Sequence, residues 1–130
     1  MNQSAAAVLH GPRVLVAEDN FLIGETIREI LVDVGCTVAG PFGRLDEVLS
    51  AIRVDAFDGA LLDLDLDGVS TLPAASELAA RGIPFIVATG HRNSAGLPPL
   101  LARAPFLTKP FQVPELEGLV LKTFPLRHGV

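Results

Sequence analysis

Four short apolar runs, each ending on polar residues, constrain the fold of this chain more than any other feature. They are RVLVAED (13–19), GALLDLD (59–65), IPFIVATG (83–90) and PFLTKPF (105–111). Such runs lack the polar alternation of a half-solvated sheet, so they suit strands covered on both faces. The segments between them carry helix-period apolar residues, and that alternation is the pattern of a parallel α/β sheet. If the runs are parallel strands, Glu18, Asp19, Asp63, Thr89 and Lys109 all arrive at one rim. Open α/β sheets place their sites at that rim.

The spacing predicts strands at Arg13–Ala17, Thr37–Ala39, Ala60–Leu62, Pro84–Ala88 and Phe106–Leu107. Helix 1 runs from an Asn20 cap to Gly35, with Ile23, Ile27, Ile30 and Val34 as its buried stripe. Helix 2 covers Leu45–Arg53 and helix 3 Val69–Arg81, with Pro73 disturbing its first turn. Pro98 and Pro99 limit helix 4 to about two turns at most. Helix 5 is Val113–Phe124, with Pro114 tolerated in its first turn. Right-handed crossovers then give a doubly wound five-stranded parallel sheet of flavodoxin-like order 2-1-3-4-5, with strand 1 near the middle.

At 130 residues and 49% hydrophobic content the chain is one domain with a real core. Residues 1–10 are expected as a flexible N-terminal arm, 11–124 as the domain, and 125–130 as a tail too short for an output module. No apolar stretch approaches the roughly 18 residues of a membrane helix, and the N-terminal segment lacks the basic region of a secretory signal. The net charge is −5 and the basic residues are scattered, which argues against nucleic acid as a partner. The single cysteine, Cys36, lies in an apolar stretch and reads as a small buried hydrophobe; a cytoplasmic setting is the expectation.

At the rim, three clustered carboxylates create an electrostatic problem. Two like charges about 4 Å apart repel by roughly 4 kcal/mol at an effective dielectric of 20. A divalent cation resolves this, and Mg²⁺ (or Mn²⁺) suits a site of one or two carboxylates with room for phosphate oxygens. Lys109 adds a point charge for phosphoryl oxygens and Thr89 a hydroxyl donor. Phosphoryl transfer asks mainly for positioning and charge neutralisation, which this set supplies.

An acidic pair after strand 1, an aspartate ending strand 3, a threonine after strand 4 and Lys-Pro after strand 5 resemble the receiver domains of bacterial response regulators. The resemblance covers roughly Gly11 to Phe124. It implies that Asp63 accepts a phosphoryl group from a sensor histidine kinase or phosphotransfer protein. It also implies that Asp19 ligates the metal directly, Glu18 acts through a metal-bound water, and Asp65 offers its backbone carbonyl. Thr89 and Lys109 would bind phosphoryl oxygens, Phe106 would be the aromatic switch residue, and Lys109-Pro110 the cis peptide.

Arg81 to Gly90 is similar to the signature of the FATGUY group of single-domain receivers, often tied to stress signalling; Val87 and His91 depart from its phenylalanine and tyrosine. Asp65 and His91, two residues past the phospho-acceptor and the threonine, are candidates for tuning phosphoryl lifetime. Phe21 and Leu22 are either kinase contacts or core. The output would be a protein–protein surface around strand 4, helix 4 and strand 5, on a monomer or weak dimer.

Two other functions fit parts of the pattern. Asp63-Leu64-Asp65 matches the DxD of haloacid dehalogenase-like phosphatases, but here an acidic pair precedes it and no cap segment is evident. A receiver-fold binding module that works without phosphorylation would not need the intact acidic set.

Overall fold

The computed structural model describes residues 9–90, 96–125 and 127–128. Five parallel strands form the central sheet: β1 (Arg13–Ala17), β2 (Thr37–Phe42), β3 (Gly59–Asp63), β4 (Phe85–Thr89) and β5 (Phe106–Thr108). Their spatial order is β2-β1-β3-β4-β5, so β1 has a neighbour on each side and the chain reverses its winding there. Helices α1 (Phe21–Asp33), α2 (Leu45–Val54), α3 (Leu72–Ala80), α4 (Pro99–Ala102) and α5 (Val113–Thr123) connect and cover the strands. This is the doubly wound order read from the sequence.

Strand alternation divides the core in two. Leu15, Leu62 and Val87 face a cluster with Val48 and Ile52 of α2, Leu78 of α3 and Leu101 of α4. Val14, Val16, Leu61 and Ile86 face the other, with Ile27, Ile30 and Leu31 of α1 and Leu116 and Val120 of α5. Both faces of β1, β3 and β4 are buried, which is why these strands carry unbroken apolar runs. Asn20 caps α1 as expected, its side chain accepting from the Ile23 N–H at 3.0 Å.

Two elements differ from the sequence reading by more than two residues. β2 continues three residues further, through Gly40, which has φ +103° and lies so close to β1 that a Cβ would stand 2.6 Å from the Val16 carbonyl oxygen. Helix α3 begins at Leu72 rather than Val69, because Val69–Ser70 pair antiparallel with Asp65–Leu66 in a small hairpin. Its two-residue turn, Asp67-Gly68, has φ +52° and +83°, the positive pair that a type I′ hairpin turn requires. Helix α4 is a single turn of four residues, within the limit that Pro98 and Pro99 set. At the chain ends, Leu9–His10 pair antiparallel with Arg127–His128, tying together the expected arm and tail.

Candidate phosphoryl-transfer site

The carboxyl ends of β1, β3, β4 and β5 meet at one rim. β1 pairs with β3 up to Ala17↔Leu62, β3 with β4 up to Asp63↔Ala88, and β4 with β5 up to Thr89↔Thr108. The strands therefore end at nearly the same level, with Asp63 and Thr89 as the last residues of β3 and β4 and Glu18 and Lys109 the first residues beyond β1 and β5. That register brings the adjacent Glu18 and Asp19 to the same rim as Asp63, Thr89 and Lys109, which lie far from them in sequence.

Lys109 organises the pocket. Its Nζ donates to Glu18 Oε1 at 2.8 Å and to Asp63 Oδ2 at 2.9 Å, bridging residues 91 and 46 positions away. The Lys109–Pro110 peptide bond is cis, and the Lys109 N–H donates to the Thr89 carbonyl at 2.7 Å. Glu18 is almost wholly buried, at 3% exposure, and its Oε2 also accepts from the Asn20 N–H at 3.1 Å. Burial pushes the Glu18 carboxyl above its ordinary value, outweighing the opposing hydrogen bond from Lys109. Burial opposes the charge on Lys109, but its hydrogen bonds to Glu18 and Asp63 more than offset this and hold the ammonium above the usual lysine value.

Asp19 is exposed and turns toward the hairpin, where its Oδ2 accepts from the Asp67 N–H at 2.7 Å. Carboxylate oxygens of Glu18, Asp19 and Asp63 lie within 4.8 Å of one another, a grouping able to hold a metal ion. The donor set is all oxygen, three carboxyl groups beside one ammonium, which suits a hard, small divalent cation.

Thr89 is buried at the end of β4. Asp65 is exposed, and its Oδ2 accepts from the Gly68 N–H at 3.0 Å inside the hairpin. Phe106 is half-buried and packs against the cluster beneath α2, α3 and α4. His91 lies outside the described residues. Phe21 and Leu22 do not enter the core: each is 75% exposed. Beside them a cleft of about 470 Å³ is lined by Leu22, Ile23, Thr26, Lys109, Pro110 and Phe111. The sequence reading passed over Thr71, which is fully buried and hydrogen-bonded to the main chain of Asp63. It also passed over the Asp-Gly hairpin, although that dipeptide between alternating residues is a strong turn signal.

A doubly wound sheet with carboxylates and a lysine at its topological switch is the arrangement that the receiver resemblance implied. Residues 14–121 match the response regulator receiver domain family, and the chain belongs to it. Receiver domains are the phospho-accepting signalling modules of two-component systems and work with histidine kinases or phosphotransfer proteins. Nodulation protein W of Bradyrhizobium diazoefficiens is 34% identical over 116 residues, spanning 83% of this chain and 49% of that protein. The transcriptional regulatory protein PdtaR of Mycobacterium tuberculosis is 30% identical over 111 residues, spanning 80% and 52%. The chain thus covers about half the length of these curated relatives. Among solved structures, the response regulator TrrA of Thermotoga maritima in complex with Mg²⁺-BeF is 26% identical with a TM-score of 0.72, covering 85% of this chain and 96% of that one. Membership of this family sets the hydrolase reading aside. Among the described residues no helix is long and apolar enough to cross a membrane.

Proposed function

We propose that this chain accepts a phosphoryl group on Asp63 from a sensor histidine kinase or phosphotransfer protein and signals through protein–protein contact. The observation that carries this is the Lys109 ammonium, held 2.9 Å from Asp63 Oδ2 beside the three-carboxylate group. Glu18, Asp19 and Asp63 would hold Mg²⁺, with Asp65 contributing its backbone carbonyl. The bound cation would neutralise the carboxylates and the charge of the incoming phosphoryl oxygens.

The residues do the rest by position. Lys109 keeps Asp63 oriented and supplies a cation where phosphoryl oxygens arrive, while Thr89 offers them a hydroxyl. A new bond forms between phosphorus and an Asp63 carboxylate oxygen as the donor's bond to phosphorus breaks, and the donor leaves with that electron pair. Lys109 then exchanges its Asp63 contact for the phosphoryl oxygens. The exposed Phe21 and Leu22 and the neighbouring cleft form the face for the phosphodonor protein. Thr89 and Phe106 couple phosphorylation to the surface of β4, α4 and β5, where a protein partner reads it. The resemblance of Arg81–Gly90 to the FATGUY signature supports a place in cytoplasmic stress signalling.

The test is incubation with Mg²⁺ and acetyl phosphate, read by intact mass beside Asp63→Asn. A phosphoryl-sized gain in wild type alone is expected. No gain, together with no binding of beryllofluoride in the presence of Mg²⁺, would overturn the proposal in favour of a phosphorylation-independent binding module.

A further inference from the structure

Thr71 stands directly before α3 with none of its surface exposed, yet its hydroxyl does not serve that helix. A threonine capping a helix ordinarily accepts a hydrogen bond from the first turn. Here that bond is absent, and the Leu72 N–H goes to Ser70 Oγ at 3.1 Å instead. The Thr71 hydroxyl turns back toward the strand, 2.6 Å from the carbonyl oxygen of Asp63 and 3.0 Å from that of Leu64. The Thr71 N–H adds a second bond to the Leu64 carbonyl at 3.0 Å. A single residue thus closes the base of the hairpin onto the end of β3.

We propose that Thr71 is a positioning residue for phosphoryl transfer, its hydroxyl holding the main chain of the phospho-acceptor. The inference rests on the function proposed above. A hydroxyl has one proton to give, and the shorter contact assigns it to the Asp63 carbonyl; the Leu64 carbonyl has the Thr71 N–H. The Asp63 carboxylate is two rotatable bonds from that anchored backbone, so the anchor sets where Oδ2 falls relative to Lys109. From the same base the hairpin reaches back over the rim, where the Asp67 N–H meets Asp19 Oδ2 at 2.7 Å. Thr71 therefore lies beneath both the acceptor carboxylate and the segment that engages a second carboxylate. Its hydroxyl touches neither metal nor phosphoryl group, and its effect passes through Asp63 and the hairpin.

Thr71→Val keeps the side-chain shape and removes the donor, whereas Thr71→Ser keeps the donor and removes a methyl. Urea unfolding first sets conditions in which every variant is folded. Per folded molecule, the maximal rate of phosphorylation by acetyl phosphate is expected to fall about tenfold in Thr71→Val and to stay within about twofold of wild type in Thr71→Ser. Calorimetric titration with Mg²⁺ alone is expected to give a dissociation constant raised about threefold in Thr71→Val and restored in Thr71→Ser. Should Thr71→Val fail to fold, Thr71→Ala takes its place in the same comparison. A wild-type rate and Mg²⁺ affinity in the variant lacking the hydroxyl would overturn the inference, as would a serine variant as impaired as the valine. If wild type itself takes no phosphoryl group, the proposed function falls, and the Mg²⁺ titration alone decides the positioning role.

Discussion

Lys109 shows how a single side chain can be required by both stability and chemistry. It neutralises a glutamate whose side chain is 1% exposed, and removing one partner of a buried ion pair leaves the other charge uncompensated. Lys109→Met is therefore expected to destabilise the Mg²⁺-free protein by about 3 kcal/mol, measured by urea unfolding, and to abolish phosphorylation by acetyl phosphate. Cys36 presents the opposite case, a titratable group with no charged role. Burial pushes its thiol up to about 11 from 9.0. A raised thiol value favours the folded state below the unfolded value, and that contribution is lost as pH climbs from 9.0 to about 11. At pH 8 the native thiol stays protonated and covered, so iodoacetamide should label it slowly in buffer and rapidly in urea. Burial of Cys36 was legible from its apolar neighbours. The pairing of Glu18 with Lys109 was not, because it joins residues 91 positions apart.

The secondary-structure elements divide by how local their causes are. β1 and the start of α1 were legible to the residue, since an apolar run and an asparagine cap are local signals. The beginning of α3 was not: the sequence reading starts the helix at Val69, but the Asp-Gly turn draws Val69–Ser70 into the hairpin instead. A Cβ at Gly68 would meet nothing within 4 Å, so Gly68→Ala tests backbone conformation alone. It should cost about 1 kcal/mol in urea unfolding, the penalty of holding a non-glycine residue at positive φ. Gly59 has a different reason to be glycine. A Cβ there would stand 2.3 Å from the Phe124 ring, so Gly59→Ala should cost about 2 kcal/mol by displacing that ring from the core beneath α5. β2 outran its expected end because Gly40 can approach β1 closely, a matter of backbone contact that side-chain pattern does not register.

For the molecule as a whole, the acidic rim makes stability depend on its ligand. Three carboxylates within 4.8 Å repel one another with one ammonium among them, and a cation bound only by the folded state stabilises it by mass action. The melting temperature should rise with the logarithm of Mg²⁺ concentration, and Asp19→Asn should flatten that rise; calorimetric scans across a Mg²⁺ series would measure both. By itself the sequence determined the α/β class, the strand order and the residues at the strand ends. Those follow from apolar runs whose length and burial are local, and from crossover handedness that holds for such sheets generally. Only the tertiary structure decided which groups touch. The register of β1, β3, β4 and β5 set Lys109 between Glu18 and Asp63, and the closed hairpin turned Thr71 back onto the acceptor's own main chain. A hydrogen bond depends on tenths of an ångström between segments far apart in the chain, and those distances exist only after the sheet has assembled.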